Sequence, residues 1–123
     1  MKTLGEFYRE KILSQKNLIT KELPDYNGEV KIEKGLFGWK LHSGKNYIEC
    51  ESEEEARYLK IFLEAGLTEV KIPKDKKYLK KILPEIEKLK EKIDEIINSS
   101  LESIMDKKIQ EKVKSLVWSE IIK

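Results

Sequence analysis

The sequence predicts an α+β fold. A small, mainly antiparallel β-sheet, made of a meander over 29–51 and a strand over 68–72, packs one face on helices. A C-terminal helical pair follows. Three observations predict it. Apolar and polar residues alternate from Val30 to Cys50, the period of a half-buried strand. Apolar residues recur at helical spacing on both sides of that segment. From Asp75 to the end the helical period continues almost without interruption.

Each element has a local reason. Thr3 followed by Glu6 is a capping box, and Leu4, Phe7, Tyr8 and Ile12 continue at helical spacing. This predicts a helix over 3–16, extended by a turn through Leu18 and Ile19. Pro24-Asp25-Tyr26-Asn27-Gly28 stops it with turn chemistry. Val30 and Ile32 share one strand face, and Lys34-Gly35 reads as a two-residue hairpin turn. Ile32 then faces Phe37, and Val30 faces Trp39. Ser43-Gly44-Lys45-Asn46 forms the second turn, which sets Leu41 opposite Ile48, Trp39 opposite Cys50, Lys40 opposite Glu49 and His42 opposite Tyr47. Every apolar pair falls on one side, and a one-residue slip destroys that sorting.

Ser52 and Glu55 form a second capping box, Ala56, Leu59, Phe62 and Leu63 an apolar stripe, and Gly66 a C-cap. Thr68–Ile72 reads as a fourth strand ended by Pro73. A right-handed crossover would set it parallel to the third strand, beside either the third or the first. Glu-Val-Lys-Ile occurs at both 29–32 and 69–72, too short a match to mark a repeat. Leu79, Ile82, Ile86, Leu89, Ile93 and Ile96 follow a 3-4-3-4-3 spacing, about two and a half heptads. Pro84 interrupts that run and predicts a kink or break near 83–84. Asp106 caps a last helix with Ile109, Val113, Leu116, Val117 and Ile121 on its inner side.

The chain has 123 residues, the size of one domain, with an α-β-β-β-α-β portion over 1–73 and a helical segment over 74–123. At 39% hydrophobic it has enough apolar material for a core without a metal or a disulfide. The 25 basic and 23 acidic residues balance, which excludes a polyanion-like or polycation-like chain. No apolar run approaches the ~18 residues of a membrane span, and residues 1–20 lack a secretory apolar stretch. The expectation is a cytoplasmic protein without a membrane partner. Lys outnumbers Arg 23 to 2, and Ile outnumbers Ala 15 to 2. An AT-rich genome or a high growth temperature produces this pattern, and the few Gln, Cys and Met favour a thermophile. In such a chain a lysine-rich surface is background.

Few residues carry chemistry. One Cys, Cys50, excludes an intrachain disulfide and a multi-cysteine metal site. One His, His42, excludes a His-rich metal site within one chain. No metal and no cofactor are expected. Cys50 lies on the apolar face and should behave as a small hydrophobe. His42 and Tyr47 pair on the polar face, but no nucleophile stands beside His42 for it to activate. Gly35, Gly38 and Gly44 make no phosphate-binding loop. Gly38 lies within a strand and marks a bulge or a close backbone approach. Pro24-Asp25 with Glu29-Val30-Lys31 resembles the Pro-Asp…Glu-x-Lys core of restriction-endonuclease-like nucleases. That family implies acids converging on a metal from neighbouring strand ends. Here Asp25 and Glu29 stand closer in sequence than in that family and Glu69 stands much further, so no catalytic residue is assigned.

Three binding surfaces remain. The outward sheet face presents Lys40, His42, Tyr47 and Glu49. Lys74, Lys76, Lys77, Lys80 and Lys81 sit where a helix begins, against the helix dipole, an arrangement that phosphate contacts would explain. The near-absence of Arg and of paired stacking aromatics weighs against nucleic acid. The third surface is apolar: Leu79, Ile82, Ile86, Leu89, Ile93 and Ile96 with Trp118 and Ile121, a seam for the last helix or for a second copy. The expected function is a non-enzymatic binding or assembly module working by protein–protein interaction, with a protein partner or with a second copy as a homodimer. The alternative is an accessory nucleic-acid-binding protein using the lysines.

Overall fold

Thr3 caps the first helix by accepting a hydrogen bond from the Glu6 N–H at 3.1 Å. In the computed structural model, which describes residues 3–26, 29–102 and 106–122, helix α1 (Leu4–Phe7) runs into a wider turn, Tyr8–Ile12. The Leu13 N–H closes that turn onto the Tyr8 carbonyl at 3.0 Å. Leu4, Phe7 and Ile12 are buried. The helix ends there and does not reach 16–19. Ser14-Gln15-Lys16-Asn17 breaks it, and Leu18–Glu22 is a strand, β1, that the sequence does not predict. The β-branched Ile19 and Thr20 favour the extended chain. Asn27 and Gly28, the end of the expected turn, lie outside the described residues.

The meander is present as β2 (Val30–Lys34), β3 (Trp39–Ser43) and β4 (Asn46–Cys50), in the order β2-β3-β4. Its second hairpin has the expected register, Trp39 to Cys50, Lys40 to Glu49, Leu41 to Ile48 and His42 to Tyr47. The first does not. Ile32 faces Leu41 instead of Phe37, and Val30 faces Ser43 instead of Trp39. Residues 35–38 form a loop, closed by the Gly35 N–H on the Gly38 carbonyl at 2.7 Å. Gly38 makes this loop feasible. Its φ is +152°, and a Cβ there would lie 3.2 Å from the Cys50 carbonyl oxygen. Ile32 moves from partner 37 to partner 41, an even shift, so the strand side chains keep their faces, whereas Phe37, expected on the apolar face, stands in the loop and is exposed.

Helix α2 (Glu53–Glu64) starts at Ser52, whose hydroxyl accepts from the Glu55 N–H at 3.2 Å. The Glu55 carboxylate reaches back to the Glu51 N–H, closing the box one residue early. Ala56, Leu59, Phe62 and Leu63 are buried as expected, together with Tyr58 and Ile61, and the helix lies against β2, β3 and β4. Strand β5 (Glu69–Pro73) follows.

β5 pairs with β1, antiparallel, and not with the meander, so there are two sheets instead of one. Two tyrosines explain this. The Lys71 N–H donates to the Tyr8 hydroxyl oxygen at 2.8 Å, and the Tyr58 hydroxyl donates to the Lys71 carbonyl at 2.7 Å. Both outward main-chain groups of Lys71, in the middle of β5, are thereby occupied, which blocks a further strand from pairing there.

Helix α3 (Lys76–Leu101) begins at Asp75, whose side chain accepts from the Lys77 and Tyr78 N–H groups. It does not break at Pro84. That residue is exposed, so the Lys80 carbonyl that loses its partner meets water. Helix α4 (Lys107–Ile122) is capped by Asp106 as expected. Its inward face differs from the predicted one. Trp118 is buried and Val113 half-buried, whereas Ile109, Leu116 and Val117 are exposed. Asp94 accounts for the rotation. It accepts from the Trp118 indole Nε1 at 2.7 Å and lies 3.3 Å from Lys114 Nζ, fixing which side of α4 faces α3.

Candidate functional site

The outer face of the meander brings Lys40, His42, Tyr47 and Glu49 together. Lys40 stands between Glu33 on β2 and Glu49 on β4, and its Nζ lies 4.7 Å from the Tyr47 ring centre. His42 tilts against the Tyr47 ring at 5.6 Å, with its Nε2 3.0 Å from Glu33 Oε2. Lys31 pairs with Glu29 at 3.0 Å. Lys40 has a carboxylate on each neighbouring strand and Lys31 pairs with Glu29, contacts of modest energy on a sheet face. The His42 Nε2, by contrast, is buried without a hydrogen-bond partner among the described residues.

The five lysines gather at the start of α3, all exposed. Lys76 lies 3.5 Å from Glu51, and Lys80 lies 3.8 Å from Glu54. Acids beside the N-terminus of α2 therefore compensate two cations that oppose the dipole of α3. Lys74, Lys77 and Lys81 have no such acid among the described residues. The Tyr78 hydroxyl donates to the Lys11 carbonyl at 2.6 Å, which ties the ring to the N-terminal helical turn.

Most of the apolar seam lies in the chain's own core. Leu79, Ile82, Ile86 and Ile93 are buried, and Leu89 is half-buried. Ile96 is 55% exposed, and its neighbour Ile97 is buried instead. Trp118 is buried, while the Ile121 side chain lies outside the described residues. What stays open is an apolar groove of about 420 Å³ between α3 and α4, lined by Ile93, Ile96, Ile97, Leu101, Val113 and Val117, with Thr3 and Ser100 at its margin.

The most exposed apolar feature escapes the sequence reading. Leu36 and Phe37, at the tip of the β2–β3 hairpin, are 96% and 101% exposed. They border a hollow of about 610 Å³ shared with Trp39, Cys50, Glu51 and Lys21. Lys34 Nζ lies 5.8 Å from the Trp39 ring centre. The signal for this loop is the pair Gly35 and Gly38 bracketing Leu36-Phe37, which the alternating pattern disguises as strand.

Cys50 is buried. Burial, reinforced by the charge of Glu55 and opposed by Lys21, pushes its thiol up to about 12, so it stays a neutral thiol. Asp25 is exposed and its main-chain carbonyl accepts from the Ser43 hydroxyl, while Glu69 belongs to the other sheet. Among the described residues no three His, Cys, Asp or Glu side chains gather to hold a metal ion. No helix among them is long and apolar enough to cross a membrane. Comparison with protein-family models, curated proteins and solved structures finds no match to this chain.

Proposed function

We propose that this chain is a non-catalytic binding or assembly module that works by protein–protein contact, with the β2–β3 hairpin tip as its principal docking element. One observation carries the reading: Leu36 and Phe37 stand side by side in water, almost fully exposed. Burying a large apolar side chain stabilises by about 1.5–3 kcal/mol, so a tip that keeps two of them out forgoes that gain until something covers it. The loop is also held in shape. The Gly35–Gly38 hydrogen bond and the tight approach of Gly38 to Cys50 limit the freedom lost on docking.

A photo-reactive residue placed at position 36 in the producing cells tests this. Cross-links to protein are expected, and the same probe at the exposed Lys45 in the neighbouring hairpin turn should give few. No protein adduct at position 36 contradicts the reading. The nucleic-acid alternative rests on Lys74, Lys77 and Lys81, the lysines of the cluster with no acid partner among the described residues.

A further inference from the structure

We infer that the hairpin tip seats in the α3–α4 groove of a second copy, and that two copies pair antiparallel so that both tips are seated at once. This rests on the reading that the tip docks on protein.

Tip and groove match in chemistry. Residues 35–38 carry no charge, and neither do the described residues that line the groove. Joining them strips water from apolar surface without burying an ion. They are also separate within one copy: the hollow at the tip and the groove share no lining residue. Glu51, which borders the hollow at the tip, pairs with Lys76 at the first residue of α3. Ile96 of the groove is twenty residues further along the same helix, about 30 Å away at 1.5 Å per residue. Leu36 and Phe37 are almost fully exposed and line no part of the groove, so within one copy the tip leaves the groove unfilled.

Area then selects the symmetry. Seating Leu36 and Phe37 covers roughly 300 Å² of tip and a similar area of groove, roughly 600 Å² per contact. A stable interface needs about 1,200–2,000 Å². One contact falls short, whereas a two-fold axis supplies the second contact from the first and reaches that range. A lipid surface is the weaker occupant. The meander carries Lys31, Lys34, Lys40 and Lys45 against Glu29, Glu33, Glu49 and Glu51, which leaves no net charge to attract anionic headgroups.

Sedimentation equilibrium over a wide concentration range tests this. The full chain should reach the mass of a dimer and stop there. The tip variant L36S/F37S and the groove variant I96E alter exposed positions, and circular dichroism checks that each folds. Each should weaken pairing by roughly a hundredfold or more. V117T, which keeps the shape of the groove, should weaken it less. An equimolar mixture of tip and groove variants has one intact contact, and should pair more tightly than either alone but less tightly than the unaltered chain.

A chain that stays monomeric throughout overturns the inference. So does a dimer that survives L36S/F37S, or a mass that keeps growing past two copies. Monomers that bind anionic vesicles through the tip overturn it in favour of lipid. If the chain is monomeric yet position 36 cross-links to a different protein, this inference fails and the proposed function stands. If position 36 yields no protein adduct, both fail.

Discussion

Lys71 has no free main-chain group on the outer edge of β5, because Tyr8 and Tyr58 take both. Tyr58→Phe keeps the ring buried and leaves the Lys71 carbonyl unpaired. It should cost about 1–3 kcal/mol in urea unfolding. The same groups set the alkaline limit of the fold. Burial raises the Tyr58 phenol well above 10.0 and raises Tyr8 as well. Cys50 rises from 9.0 to about 12. In each case the folded state keeps a proton that the unfolded state releases, so their contribution is complete below pH 9 and is lost as pH rises. Unfolding free energy should therefore decline between pH 9 and 12, and Tyr58→Phe should make the decline shallower. A flat profile to pH 12 contradicts this.

Ile96 and Ile97 separate two descriptions of α3. A heptad repeats every 3.5 residues and predicts Ile96 inside. A straight helix turns every 3.6 residues and drifts about 20° per heptad. Leu79 and Ile97 are eighteen residues apart, five whole turns, and both are buried. The helix lies against a globular core and has no supercoiled seam to follow. Ile97→Ala should cost about 2–5 kcal/mol and Ile96→Ala well under 1 kcal/mol in the same urea experiment. The N-terminus of α3 carries its own test. Under the favoured reading the chain binds neither DNA nor RNA at ~50 mM salt. Binding with a log–log salt slope near −3, about one counterion per unpaired lysine, would support the alternative. Legibility followed local determination. The β3–β4 register was readable because a two-residue loop and strict alternation agree. β1 was not, because Leu18–Glu22 lacks alternation and its partner lies some fifty residues away.

At the scale of the molecule, the α+β class and the helical C-terminal stretch follow from periodicity, but the division into two sheets does not. It depends on tyrosine hydroxyls reaching a strand edge, and no sequence period encodes that. The candidate surfaces divide in the same way. The His42–Tyr47 pair was legible from register. Leu36 and Phe37 were not, because their exposure depends on the length of a loop whose closure rests on Gly38 meeting the Cys50 carbonyl. What results is a body whose charges largely answer one another, with an apolar knob at the β2–β3 tip and a separate apolar groove between α3 and α4. The most direct test follows the methyl resonances of Leu36 and Ile96 by NMR as the chain is concentrated, with the buried Leu59 as reference. Both should shift along one binding curve while Leu59 stays fixed; if neither moves, or Ile96 moves without Leu36, tip and groove do not meet.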